Sequence, residues 1–353
     1  MRTELSILLL MIILSSCSDS GFKFIKLENI QLLESNSEGL MLIQEKAEPG
    51  QMKMEGKVGY VNSAGEIVIK PQFSRVTICS FKEGKACAAP FARAFDLPPK
   101  RGYIDKTGKF VIAPKFDDAE SFSEGLAAVK IDDKWGYIDT RGIQQISPQY
   151  DEVEKFSEGL AAVKFNGKWG FINKNGEIVI EAKYESVNNF SEELAFVNIE
   201  KNGETICIDK KGKKIFSGSY ERIGGFKNNR TYALEGKKWS IIDNQGRAIT
   251  TLPKEVLNVL TEYQEGLAVV YGTNKKCGAI NEQGKISIPL NYDSCSFDGF
   301  SEGLLSIEQN EKSGIINTKG ELILKPKYSF IGDFHNGVAV AKEGEQWGIL
   351  KKL

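Results

Sequence analysis

The chain has 353 residues, with 46 Lys+Arg against 47 Asp+Glu, 35 Gly, 10 Pro, 6 Cys and one His. A near-zero net charge argues against a nucleic-acid binder, and a single histidine makes a multi-His metal site or His-dependent catalysis hard to build. Glycine, at about one residue in ten against an ordinary ~7%, points to many tight turns.

Residues 1–16 read as a processed leader. Arg2 gives a short positive region, and residues 5–14 form an apolar run of signal-peptide length, too short to span a bilayer. Leu14-Ser15-Ser16-Cys17 resembles the lipobox of bacterial lipoproteins. The resemblance implies cleavage before Cys17 and acylation at Cys17, and several acyl chains anchor stably where one alone does not. An ordinary secretory signal with a coincidental cysteine is the alternative. Ser18, rather than an acidic residue, follows Cys17, which by analogy with enterobacterial sorting favours the outer membrane of a bacterial cell envelope and leaves the face open.

Beyond residues 17–38, which hold the lipidated end and a partial repeat, residues 39–353 read as nine copies of one unit in a single array. Phe122-Ser-Glu-Gly-Leu-Ala-Ala-Val-Lys130 recurs as Phe156-Ser-Glu-Gly-Leu-Ala-Ala-Val-Lys164, followed by Lys134-Trp135-Gly136 and Lys168-Trp169-Gly170. The glycine slot of F-S-E-G falls at Gly39, Gly84, Gly125, Gly159, Glu193, Asn229, Gly266, Gly303 and Gly337, with an aromatic three residues earlier in eight of the nine. Six residues beyond the W-G slot stands another glycine, from Gly65 to Gly320, wherever the chain continues. Such glycines between apolar runs mark hairpin turns. Each unit reads as three short strands, for example Leu160–Phe165, 169–173 and 177–180, rich in Val, Ile and aromatics and bounded by Gly, Asn and Lys. No sustained 3.6-residue period appears, so helix content is expected to be low.

A three-stranded unit cannot bury its apolar face alone and must stack on its neighbour. Trp135, Trp169, Trp239 and Trp347 read as core, and the glycine after Trp (Gly136, Gly170, Gly348) as room for a neighbouring unit's aromatic to approach the backbone. The arrangement resembles the WG (KWG) β-repeat family of bacterial proteins, which implies an all-β tandem array with an interaction role and no established activity. Repeats of about 34–37 residues leave a propeller-like ring and an open β-superhelix both possible. The last copy lacks its third strand, and residues 22–33 look like that strand misplaced to the N-terminus. Pairing the two ends would remove open sheet edges.

The chemistry-bearing patterns are weaker. Gly299-Phe300-Ser301-Glu302-Gly303 fits G-x-S-x-G but lacks the strand-to-helix context that motif requires. Glu124, Glu158 and Glu302 supply the carboxylates for an alternative, a glycan-active hydrolase needing two carboxyls roughly 5–10 Å apart. His335 reads as an exposed turn residue and Lys210-Lys211-Gly212-Lys213-Lys214 as a solvated tip. Five cysteines remain besides Cys17; without C-x-x-C they suggest no metal site, and Cys79–Cys87 and Cys277–Cys295 are possible disulfides. Copies one and two carry long inserts between first and second strands, and Phe91, Arg93, Phe95 and Arg101 are the candidate partner contacts there. The reading is a non-catalytic, lipid-anchored extracytoplasmic scaffold for a protein or glycan, with no cofactor, metal or nucleic acid; a purely structural envelope protein is a further alternative.

Overall fold

The structure, a computed structural model, describes residues 21–32, 37–45, 56–75, 78–91, 99–201 and 203–353. Among these residues there is no α-helix; nine antiparallel sheets follow one another along the chain as the nine blades of a β-propeller ring. Blade four is representative. Its strands Glu152–Val153, Leu160–Phe165, Lys168–Asn173 and Ile178–Tyr184 lie side by side in sequence order. The expected three-stranded unit is thus corrected to four in most blades. The extra first strand pairs only Glu152 with Lys164 and Val153 with Val163, too short to display an alternation in sequence. Blade two has three strands among the described residues, Ala86–Ala88, Arg101–Ile104 and Phe110–Phe116.

The Leu-Ala-Ala-Val strand has two buried faces. Leu160 and Ala162 pack with Phe190 and Val197 of blade five, while Ala161 and Val163 pack with Ala128 and Tyr137 of blade three. Successive strand residues point to opposite faces, so one strand serves two junctions. Alanine at the centre lets the sheets approach closely. At the junctions of blade four aromatics meet edge to face, with Tyr137–Phe156 and Phe171–Phe190 ring centroids 4.9 Å apart. Trp239 is buried and its Nε1 donates to Leu257 O in the next blade at 3.0 Å. Trp135, Trp169 and Trp347 are half-buried at the margins of their junctions, with Lys164 over Trp169 and Lys342 over Trp347 at 5.8 Å.

The glycine after Trp has a different purpose from the one expected. A Cβ on Gly136 would meet Ile146 O at 2.5 Å, and one on Gly170 would meet Ile180 O at 2.6 Å. The close neighbour is therefore the backbone of the blade's own fourth strand, not an aromatic of the next unit. The pairing register slips there, between Trp135 and Tyr137 and between Trp169 and Phe171. Blades five and six confirm the link: Ile206 and Ser240 fill the slot, and the ladder runs through it in regular register (Ile206↔Ser217, Ser240↔Thr251).

The ring is closed, which decides between the two arrangements. Strand Phe22–Lys26 pairs antiparallel with Gln346–Lys352, from Phe22↔Lys352 to Lys26↔Gly348, as the fourth strand of blade nine. A Cβ on Gly348 would meet Ile25 O at 2.5 Å, the backbone contact that six other blades make within one repeat, and also the Phe24 ring, so at this one position an aromatic does stand against the glycine. One apolar cluster joins blade nine (Val338, Val340, Ile349) to blade one (Leu27, Met41, Ile43), so each of the nine junctions has its own core cluster.

Two outcomes follow from this geometry. Deleting Phe22–Lys26 bares the edge of Gln346–Lys352 and is expected to lower the thermal midpoint by about 10 °C and to promote association, read by calorimetry and light scattering. Gly136→Ala is expected to cost about 3 kcal/mol in denaturant titrations, because backbone rather than a flexible side chain must give way; Ser240→Ala, at the equivalent slot without the slip, should stay within about 0.5 kcal/mol.

Candidate functional site

The F-S-E-G block forms a two-residue hairpin turn. In blade four Ser157 and Leu160 exchange backbone hydrogen bonds of 2.8 and 3.1 Å, with Glu158 at φ 52° and Gly159 at φ 85°. Both central residues are left-handed, as a type I′ turn demands. Glycine adopts that conformation freely; glutamate does so at a cost of roughly 1 kcal/mol or more. Its side chain offsets the cost. The Glu158 carboxylate accepts Glu192 N–H at 2.7 Å and Glu193 N–H at 2.9 Å, the central amides of the next blade's turn. Glu192 repeats this onto Asn228 N–H and Asn229 N–H at 2.6 and 2.7 Å. Glu38, Glu83, Glu124, Glu265 and Glu302 reach Gly84, Gly125, Gly159, Gly303 and Gly337 in the same way, at 2.8–3.1 Å. The preceding serine adds a second link: Ser123 Oγ donates to Phe156 O at 2.8 Å and Ser157 Oγ to Phe190 O at 2.9 Å.

Lysines from the turns between third and fourth strands cover three of these carboxylates. Lys106–Glu38, Lys174–Glu124 and Lys210–Glu158 lie at 3.2, 3.1 and 3.5 Å. Burial alone would raise the Glu124 carboxyl, but the Lys174 ammonium and the Gly159 N–H together hold it below the usual carboxylate range. In copy six the polarity is exchanged. Asn228 takes the glutamate slot and its Nδ2 donates to Glu282 Oε1 at 2.8 Å, Glu282 standing where blades two, four and five carry lysine.

This geometry places the sequence candidates. The carboxylates of Glu124, Glu158 and Glu302 are engaged in turn-to-turn bonding. Ser301 sits in a hairpin turn and its Oγ donates to Phe334 O at 2.5 Å, not in a strand-to-helix elbow. His335 lies half-buried in the turn of blade nine rather than exposed. Lys210 is held by Glu158 and Glu193. Arg101 starts strand Arg101–Ile104 of blade two, the equivalent of the third strand of other blades, paired to Asp118 of blade three at 2.6 Å and donating to Ala119 O at 3.2 Å. Phe91 is half-buried beneath Lys57, whose Nζ stands 5.5 Å from the ring centroid. Arg93, Phe95 and Cys17 lie outside the described residues. Cys79–Cys87 and Cys277–Cys295 are disulfide-bonded, and Cys207 is a buried thiol pushed up to about 12 by burial.

Three features went unread in the sequence. Asp or Asn stands three residues before each hairpin glycine; Asn173 Oδ1, for example, accepts the Asn175 and Glu177 amides at 3.0 Å. That period was visible and could have been found. A cavity of about 160 Å³ lined by Tyr220, Glu235, Lys238 and Ser240 lies at the junction of blades five and six, where the core cluster holds just three buried residues, Phe196, Cys207 and Phe226. Asp333 is buried beside Ser296 and Asp298. Burial pushes its carboxyl up to about 6, the Ser296 hydroxyl opposing and Asp298 adding to the rise.

A family model described as a WG-containing repeat matches residues 59–88, 102–135, 135–169, 169–202, 207–239, 278–312 and 314–347. Among solved structures, a eukaryotic initiation factor aligns at 11% identity over 84% of this chain and 88% of its own, with a TM-score of 0.56. BamB from Moraxella catarrhalis aligns at 12% identity over 78% and 91%, with a TM-score of 0.46, and Hsv2p from Kluyveromyces lactis at 9% over 71% and 92%, with a TM-score of 0.40. At such identities a likeness bears on fold alone. Comparison with curated protein sequences gives no match.

Glu158→Gln removes the charge from two amide contacts and is expected to cost about 1–2 kcal/mol in urea denaturation. For Asp333 the folded chain retains a proton that the unfolded chain releases near pH 4. Its contribution is therefore full at low pH and is lost as pH rises through about 6. Thermal midpoints measured from pH 4 to 8 should fall less steeply in Asp333→Asn than in the parent chain.

Proposed function

This chain belongs to the WG-containing repeat family, and from that premise we propose that it is a lipid-anchored, extracytoplasmic scaffold that binds a protein or glycan partner without catalysis. The observation that carries the proposal is the use of the recurrent glutamates. Seven of the F-S-E-G carboxylates accept a backbone amide of the adjoining turn, so the acidic motif is accounted for as a bond between blades. The same carboxylates are those that a rim hydrolase would need free.

What departs from the repeat is then the place for recognition. The insertions of copies one and two separate Glu45 from Lys57 and Ala88 from Arg101, between otherwise tightly paired strands. Phe91, Arg93, Phe95 and Arg101 bring aromatic and guanidinium groups to the second insertion, a composition suited to partner contact. Two disulfides support an oxidising compartment outside the cytoplasm. Cys17 supplies the anchor, in a cell envelope and on the outer membrane by the residue that follows it.

Metabolic labelling with a fatty-acid analogue is expected to mark the chain and to be lost in Cys17→Ala; undiminished labelling removes the anchor from the proposal. Pull-down from envelope extracts should recover a partner with the parent chain and at least about tenfold less with residues 90–99 deleted, a loss comparable to removal of a binding hot spot. Equal recovery would place the contact elsewhere.

A further inference from the structure

The two faces of the ring carry different chemistry. The F-S-E-G turns share one face with the turns between third and fourth strands, as Lys106 Nζ donating to Glu38 O at 3.0 Å and Lys174 Nζ to Glu124 O at 2.9 Å show. The strand ends flanking both insertions, Glu45 and Lys57, Ala88 and Arg101, lie at the opposite face, because second strands run away from the F-S-E-G turns. The chain enters the ring on the turn face: Lys352 N–H donates to Gly337 O at 2.9 Å, and Leu353 N–H to Gly21 O at 2.8 Å. Cys17 precedes Gly21 by four residues. At roughly 3.5 Å per residue its Cα can stand no more than about 14 Å from Gly21 on that face.

Exposed side chains along the fourth strands are sorted by depth. At the turn-face end Ile67, Val111, Ile143, Ile178, Ile286 and Leu322 are 36–62% exposed. Toward the other end the exposed positions hold Gln72, Gln149, Lys183 and Asn291. Along the fourth strands this makes an aliphatic crown at the rim where the chain enters, the kind of surface that meets a lipid interface; on the other strands Phe165, Leu257 and Phe330 are exposed toward the opposite face. Backbone amides engage seven of the turn-face glutamates and lysines pair with three of those, which weakens repulsion from anionic headgroups.

We propose that the turn face docks on the phospholipid bilayer, its aliphatic crown at the headgroup boundary, and that the insert-bearing face is thereby presented away from the membrane. The inference rests on the lipid-anchor reading of Cys17, and the test separates the two. Full-length protein purified from its membrane is reconstituted into vesicles of phosphatidylcholine and phosphatidylglycerol. Intact mass reports acylation, and amine-reactive footprinting with mass spectrometry reports each lysine, with detergent micelles as reference. On vesicles, Lys109, Lys174, Lys211 and Lys319 are expected to label about fivefold more slowly relative to Lys134, Lys168, Lys237 and Lys275 than they do in micelles. Ile178→Asp with Leu322→Asp, both at exposed sites, should return that ratio to within about twofold while leaving acylation intact. An acylated chain whose two faces label alike, or whose opposite face is protected, overturns the docking and leaves the anchor standing. A chain without acyl mass overturns both.

Discussion

Each blade has two apolar faces, and the remainder of the architecture answers that constraint. The central Leu-Ala-Ala-Val strand sends alternate side chains into two junctions, so no blade can be removed without exposing both neighbours. Burial at roughly 25 cal/mol per Å² of apolar surface supplies the attraction, but only if every face finds a partner. A linear stack would leave two faces and two strand edges open. Borrowing Phe22–Lys26 from the other end of the chain completes the ninth sheet and places an apolar cluster at the last junction.

Directional bonding fixes what burial leaves loose. Stacked sheets of similar apolar surface could slide; the carboxylate-to-amide bonds between successive turns set the height of one blade against the next. A left-handed glutamate is costly by itself and becomes useful because its side chain reaches the following turn. Copy six lacks the glutamate, and Asn228 instead donates to Glu282 at the position where other blades carry lysine, so that side-chain contact between blades persists with its polarity exchanged. The junction of blades five and six departs differently. Ile206 and Ser240 fill glycine slots, the ladder there is regular, and the core cluster is the smallest in the ring.

Much of the fold was legible because it rests on repetition. Fixed-offset glycines gave the turns, the apolar runs gave three of four strands, and a missing last strand beside a surplus first one pointed to the closing pair. The short first strand of the blades escaped notice because two paired residues carry no period. The glycine after Trp was identified as a close-approach position, but its neighbour was assigned to the next unit. Sequence shows that a Cβ is absent, not which backbone occupies the space. The glutamates were read as solvated turns because their amide partners lie 34 to 46 residues away. Only the aspartate or asparagine before each hairpin glycine was a local signal passed over.

By itself, then, the sequence determined the repeat, its β character, the turn positions and the resemblance to a lipidation site, since these depend on neighbours within a few residues. Tertiary structure decided closure over spiral, the use of glutamate as a bond between blades, and the face on which the chain enters the ring. Each of those requires two distant segments to meet, and local periodicity holds no information about which segments do.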